Sequence, residues 1–104
     1  MRTLHHPNRE DIQLTTIMYA LSDPVRLKIV MELQKTAEKS CSAFEINIPK
    51  STLSHHLKVL RESGVINTRI EGTQRFISLR KGDLESRFSG LLEAIFKAAT
   101  NFNG

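Results

Sequence analysis

Residues 49–64 have the pattern of a short amphipathic helix with two chemically distinct faces. At about 100° per residue, Leu53, Leu57 and Leu60 fall on one narrow apolar stripe. The opposite side of the same helix is polar and contains Ser51, Ser54, His55, Lys58 and Glu62. Such a helix packs through its leucines and presents hydrogen-bonding groups and a cation, which suits contacts with bases and phosphates.

Two further helices are predicted before this segment. Apolar residues recur at helical intervals over residues 9–21, after a loose arm at residues 1–8. A second helix is predicted from Asp23-Pro24 to about residue 34. The aspartate side chain can accept hydrogen bonds from the first amides of that helix, and proline fits its first turn.

The region between the second helix and Pro49 is short and begins with a polar stretch. Residues 35–40 are expected to form a loop. A short third helix is predicted at about Ser42–Ile46, ending at Asn47, because asparagine tolerates the left-handed conformation at a helix end. Together with the amphipathic helix, it makes a predicted helix-turn-helix at residues 41–63.

Strand and helix patterns follow in the last third of the chain. Alternating and β-branched sequence over residues 65–80, interrupted at Glu71–Gln74, predicts a basic hairpin. Asp83 is expected to cap a last helix over residues 83–101 with a broad apolar face. The 104 residues therefore predict one α+β, mostly α, domain. The architecture expected from these elements is a winged helix-turn-helix with a two-stranded β wing and a C-terminal dimerisation helix.

Composition narrows the class of function. A net charge of +4 and an isoelectric point near 9.6 favour a polyanionic partner. The N-terminus lacks the apolar stretch of a signal peptide, and no apolar run approaches the length of a membrane span, so no membrane association is expected. Cys41 is the single cysteine, so no disulfide can form within the chain and the protein is expected in the reducing cytoplasm. No pattern indicates an enzyme or a cofactor.

Three stretches of the chain resemble the signature sequences of the ArsR-like family, which are small dimeric bacterial transcription regulators. They lie in the correct order within residues 10–98 and read LSDPVRLKIV (21–30), STLSHHLKVLRESGVI (51–66) and RIEG (69–72). The resemblance implies a cytoplasmic homodimeric repressor that binds a palindromic operator in double-stranded DNA, and that is nucleoid-associated when bound. The region before Pro49 is about two residues shorter than the family pattern, so the positioning helix is expected to be clipped.

The expected DNA contacts lie on the amphipathic helix and on the wing. They are Lys50, Ser51, Ser54, His55, Lys58, Arg69, Gln74 and Arg75. The alternative is that both surfaces are simply solvated. His56 lies beside the leucine stripe and is interpreted as a packing or hydrogen-bonding residue. Arg26 resembles the family's signature arginine, and both a carboxylate partner and a DNA role stay open for it.

The first and last helices are expected to form a dimer interface, because a domain of this size can hardly bury both apolar faces within itself. The predicted interface residues are Ile12, Ile17, Leu21, Leu91, Leu92, Ile95 and Phe96. The alternative is that these residues form ordinary core. A second functional class, a winged-helix protein–protein interaction module, also stays open at this point.

Many members of the family sense metals, and the resemblance locates their two usual sites. The first needs a Cys-x-Cys pair where this chain has Ser40-Cys41-Ser42, which supplies one thiol. The second needs histidines on the last helix, and this chain has none there. No metal site is therefore expected, His5 and His6 are assigned to the loose arm, and a small-molecule effector stays unknown. Cys41 is either a redox switch or a buried small residue.

Overall fold

The computed structural model of the protein describes residues 4–100. Within this range the α-helices are α1 (Leu14–Leu21), α2 (Pro24–Gln34), α3 (Lys50–Ser63), α4 (Lys81–Arg87) and α5 (Leu91–Thr100). Three strands, β1 (Lys39–Ser40), β2 (Ile66–Glu71) and β3 (Gln74–Leu79), form an antiparallel sheet in the order β1-β3-β2. This is a mostly helical winged-helix fold, and it confirms the predicted fold class.

Helices α2 and α3 begin and end where the sequence predicts. The Asp23 carboxylate accepts hydrogen bonds from the Val25 and Arg26 amides at 2.8 and 3.1 Å, which caps α2. Helix α3 ends at Gly64, whose φ of 95° favours glycine. A Cβ atom at Gly64 would also lie 2.7 Å from Ile12 Cγ1, so the close approach of the N-terminal segment requires glycine as well.

The core lies between the helices and one face of the sheet, and each α-helix contributes to it. Its buried members alternate along the strands and recur at helical spacing along the helices, as an amphipathic pattern requires. They include Ile17, Ala20, Ile29, Val30, Leu33, Leu57, Leu60, Ile66, Ile77, Leu84, Leu92 and Phe96. The opposite face of α3 is thereby left in solvent.

The wing is a tight hairpin with an additional strand. Strands β2 and β3 pair from Ile66 opposite Leu79 to Glu71 opposite Gln74, and two residues make the turn. Strand β1 pairs with the other edge of β3, with Lys39 opposite Ile77. The predicted loop over residues 35–40 is therefore wrong in its last two residues, and the sheet has three strands instead of two.

The first predicted helix starts too early. Residues Arg9–Asp11 form a 3-10 turn, and α1 begins at Leu14 instead of residue 9. Ile12 and Ile17 are five residues apart, which would place their side chains about 140° apart on one helix. An extended backbone at Ile12 allows both side chains to enter the core.

The predicted third helix is absent from the described residues. Cys41–Ala43 form a single 3-10 turn, and the chain is irregular from there to Pro49. Along Phe44–Ile48, alternate side chains are buried or half-buried while those between them are exposed. This is the period of extended chain, and it was visible in the sequence Phe-Glu-Ile-Asn-Ile. The predicted helix-turn-helix at residues 41–63 therefore keeps its second helix, α3, and has a 3-10 turn in place of its first.

The last predicted helix is divided in two. Helices α4 and α5 are separated by a break at residues 88–90, where Gly90 has a φ of 82°. The Glu85 carboxylate accepts hydrogen bonds from the Gly90 amide and the Ser89 hydroxyl, which stabilises the break. Asp83 does not cap this region, because it lies inside the first turn of α4 and forms an ion pair with Arg80 at 2.9 Å.

The described part of the N-terminal arm, residues 4–8, contacts the domain. His6 Nε2 accepts a hydrogen bond from the Thr68 amide at 3.0 Å, and Arg80 donates to the Pro7 carbonyl at 2.8 Å. The expectation of a loose arm is therefore wrong for these residues. The sequence could not show it, because the Thr68 amide and the Arg80 guanidinium are brought to the arm only by the fold. Residues 1–3 and 101–104 lie outside the described residues.

Candidate nucleic-acid interface

Helix α3 presents a continuous polar face to solvent. Its leucine stripe faces the core, with Leu57 and Leu60 buried and Leu53 half-buried. The predicted contact residues of this helix are all exposed: Lys50, Ser51, Ser54, His55 and Lys58. Within residues 4–100 their side chains make no hydrogen bond or ion pair to the protein, so their donors and acceptors are free to bind a partner.

The two adjacent histidines of α3 have different environments. His55 is exposed, whereas His56 is 9% exposed, and their ring centroids are 5.8 Å apart. His56 Nδ1 lies 3.2 Å from Arg26 Nη1, and because a guanidinium only donates, the imidazole nitrogen must accept. Arg26 Nε also donates to the Ala20 carbonyl at 2.7 Å. Both Arg26 and His56 are therefore structural, although the partners of Arg26 are a carbonyl and an imidazole instead of a carboxylate.

The arginines predicted on the wing also differ. Arg69 forms ion pairs with Glu38 at 2.8 Å and Glu71 at 3.1 Å, and its guanidinium lies over the Phe76 ring. The guanidinium also donates hydrogen bonds to both carboxylates, and these bonds raise the pKa of Arg69, with the bond to Glu38 having the largest effect. The same bond lowers the pKa of the Glu38 carboxyl. Arg75 is exposed and forms no ion pair within residues 4–100.

The fold brings the exposed helix face and the wing together. Ser54 of α3 and Arg75 of β3 line one cavity, which also has Arg61, Thr68 and Cys41 in its wall. Gln74 follows the hairpin turn directly and is exposed. Neither Arg61 nor Thr68 was predicted from the sequence as a site residue. For Arg61, the regular leucine stripe of α3 gives no signal that an arginine is buried beside it.

A second exposed surface is apolar and lies between α1 and α5. This apolar groove has a volume of about 580 Å³ and is bordered by Leu14, Met18, Leu21, Leu27, Leu91, Ile95, Ala98 and Ala99, with Ile17 beneath it. Leu14 is 43% exposed and Met18 is 60% exposed. Large apolar side chains that are concentrated in one exposed groove are typical of an interaction surface.

The residues that border the apolar groove differ in part from the predicted interface residues. Of the predicted interface residues, Leu21, Leu91 and Ile95 border the groove, and their place in a dimer interface stays a prediction. The side chains of the other predicted residues belong to the core of the single chain and cannot offer area to a partner: Ile12, Ile17, Leu92 and Phe96. Leu14 and Met18, which were not predicted, also border the groove. Their spacing of four residues on α1 was a sequence signal for a shared face.

Two further observations concern metal ions and membranes. Among residues 4–100, no three His, Cys, Asp or Glu side chains are grouped closely enough to hold a metal ion. Over the same residues, no helix has the length and apolar character that crossing a membrane requires. Cys41 is half-buried and has a free thiol.

An exposed polar helix beside a basic hairpin defines a winged-helix DNA-binding protein, and comparison with known proteins identifies the family. Residues 23–68 match the family described as "Bacterial regulatory protein, arsR family". The HTH-type transcriptional regulator YceK of Bacillus subtilis (strain 168) is 38% identical over 82 residues, which cover 76% of this chain and 82% of the relative.

Two further similarities cover most of the chain. The biofilm growth-associated repressor of Xylella fastidiosa (strain Temecula1) is 36% identical over 101 residues, covering 90% of this chain and 84% of the relative. The solved structure of the transcriptional repressor BigR from Xylella fastidiosa has a TM-score of 0.66 and 34% identity, covering 88% of this chain and 96% of that chain. The chain therefore belongs to the ArsR family and is a DNA-binding transcriptional regulator. Its relatives' names do not favour a protein–protein interaction module and point away from an enzyme.

Proposed function

We propose that this regulator acts as a homodimeric repressor that binds a palindromic operator through α3 and the wing. The observation that carries this proposal is the polar face of α3, which is exposed and unpaired beside the free cation of Arg75. On α3, Ser54 and His55 would contact base edges, while Lys50, Ser51 and Lys58 would bind phosphates. Because it acts on the chromosome, its place of action is the bacterial cytoplasm, at the nucleoid.

Within the wing, Arg75 would make the main phosphate contact, with Gln74 beside it at the turn. Arg69 would have to exchange its two carboxylate partners for a phosphate. Such exposed ion pairs are weak, so the exchange is possible, but its gain is smaller than that of an unpaired cation. Arg69 is therefore proposed as a secondary contact.

The homodimer is proposed to form through the apolar groove between α1 and α5. A twofold axis at this groove would place Leu14 and Met18 against the same surface of a second copy. The two α3 helices would then face one side of the duplex, with half-sites centred about 34 Å apart. The palindrome follows from this symmetry.

Selection of bound sequences from a random duplex pool, followed by a salt titration, tests the proposal. The selected sites are expected to contain two inverted half-sites about one helical turn apart. With about six phosphate contacts per dimer, the slope of log affinity against log salt should be near −5. Selection of an unpaired site, or a slope close to zero, would contradict the dimeric operator and the phosphate contacts respectively.

A further inference from the structure

Arg61 differs from the other buried arginines of the described residues in having no partner. Arg26 and Arg80 donate to carbonyl or carboxylate oxygens. Arg61 is 8% exposed, yet its buried Nε has no hydrogen-bond partner, and the guanidinium forms no ion pair within residues 4–100. A guanidinium stays charged in proteins, and a buried charge without an opposite charge is unfavourable. An acceptor for Arg61 Nε would therefore have to come from outside the described residues.

The cavity beside Arg61 contains a second unpartnered polar atom. It has a volume of about 240 Å³ and lies between α3 and strands β2 and β3. The buried hydroxyl of Thr68, which also lines it, has no hydrogen-bond partner among the described residues. Arg75 and the Ser54 hydroxyl complete the polar part of the wall, to which no carboxylate of residues 4–100 contributes. Two guanidinium groups and two hydroxyls therefore surround one space.

We infer that this cavity is an oxyanion site that binds a group of the sulfate or phosphate type. Arg61 Nε and the Thr68 hydroxyl would donate to two of its oxygens, and Arg75 would neutralise charge at the other side of the cavity. Buried water would satisfy the two hydrogen bonds but not the positive charge of the guanidiniums. A cation or a neutral apolar ligand does not match this wall.

The oxyanion has two possible sources, a free ion or a backbone phosphate of bound DNA. The second source rests on the proposed function, because Ser54 and Arg75 belong to the proposed DNA-binding face. A free ion would instead be a ligand held between α3 and the wing, and it would change the affinity for DNA by occupying that position. The experiment has one arm for each source.

The first arm uses the protein without DNA. Titration with sodium sulfate and with sodium phosphate, against sodium chloride at equal ionic strength, is followed by calorimetry and by the melting temperature. Saturable binding is expected, and Arg61→Gln should weaken it about ten-fold or more, as expected for a charge-assisted hydrogen bond. Thr68→Val, which keeps the shape of the side chain, should weaken it less. Lys97→Gln, an exposed cation on α5, is the matched control and should not change it.

The second arm applies when the free protein binds neither anion. The source is then the operator, and Arg61→Gln should reduce the salt slope of DNA binding by about 0.9 for each phosphate that the variant no longer neutralises. Thr68→Val should weaken binding to all sequences equally. If Arg61→Gln does not fold, Thr68→Val and Arg75→Gln are used in its place in both arms of the experiment. Folded variants that match the wild type in anion binding, DNA affinity and salt slope would overturn the site. The first arm involves no DNA, so failure of operator binding would leave its result intact.

Discussion

Helices α1 and α3 are both amphipathic, but the faces that they turn away from the core are chemically opposite. The outward face of α3 carries serines, a histidine and lysines, whereas that of α1 carries Leu14 and Met18. Neither face is needed to complete the core of the single chain. A surface that folding leaves exposed restricts its partner through its chemistry: a polar basic face favours DNA, and an apolar face favours a second protein surface.

The largest expected effect concerns the apolar side of this comparison. Met18→Glu places a carboxylate in the apolar groove, and burying it there without a partner should raise the dimer dissociation constant by about 100-fold or more. Sedimentation velocity over a range of concentrations measures this change. Thr16→Glu, an exposed position on the same helix that does not border the groove, is the matched control. A folded Met18→Glu protein that stays dimeric would show that the groove is not the interface.

The second prediction separates the two faces of α3 itself. His55→Ala and Ser54→Ala should each reduce discrimination between operator variants by about 1–3 kcal/mol at the contacted bases. His56→Ala should instead reduce stability, because it leaves Arg26 Nη1 without its acceptor. Competition binding with operator variants and thermal unfolding measure the two effects. Equal loss of discrimination in all three variants, with unchanged melting, would mean that the faces are assigned wrongly.

The third prediction concerns the cations of the DNA-binding side. Arg75→Gln should weaken binding to all sequences and reduce the salt slope by about 0.9 for each phosphate left without its cation. Arg69→Gln should have the smaller effect, because Glu38 and Glu71 already neutralise that guanidinium. Glu38→Gln should then strengthen DNA binding, because it leaves Arg69 with one carboxylate partner, Glu71, instead of two. Fluorescence anisotropy at several salt concentrations distinguishes these outcomes, and a larger effect of Arg69→Gln would reverse the assignment.

The sequence predicted those parts of the fold whose signals are local. Asp23, Gly64 and the alternating wing strands define element ends and periods through their own chemistry, and the structure agrees with each. The same holds for the burial of His56, which follows from its angle to the leucine stripe.

The errors occurred where contacts distant in sequence decide the local conformation. Strand β1 exists because its two residues reach the free edge of β3. Ile12 is extended because it packs against Gly64, and the arm is docked because Thr68 and Arg80 have partners in it. The unpartnered side chain of Arg61 is likewise a property of the assembled cavity, which no sequence period can predict.

A smaller effect is expected at the junction between the arm and the wing. Burial lowers the pKa of His6 and outweighs the hydrogen bond to the Leu4 carbonyl, which raises it, while the nearby charges of Arg61 and Arg80 lower it further. A lowered histidine pKa means that the unfolded chain binds the proton more readily. The stabilisation from the docked arm is therefore complete above the ordinary pKa of 6.5 and is lost as the pH falls through the lowered value.

Replacing His6 tests this pH dependence. Between about pH 7.5 and pH 5.5, the wild type should lose roughly a few tenths of a kcal/mol of stability more than His6→Gln does. Urea unfolding at the two pH values measures the difference, and His5→Gln, at the exposed neighbouring position, is the control. Identical pH profiles for wild type and His6→Gln would show that arm docking does not depend on this proton.

The last prediction is an absence of effect, namely that zinc, cadmium, cobalt and arsenite do not release the protein from DNA. At the position of the family's thiolate site the chain has one thiol, Cys41, between two serines, and an un-ionised hydroxyl is a poor replacement for a thiolate. Operator binding should be the same with each metal and in Cys41→Ser, measured by anisotropy with a chelator as control. Release at micromolar metal that Cys41→Ser abolishes would contradict this prediction. It would indicate a metal site shared between subunits. The bound metal would then couple the apolar groove to the DNA-binding face, which otherwise act independently.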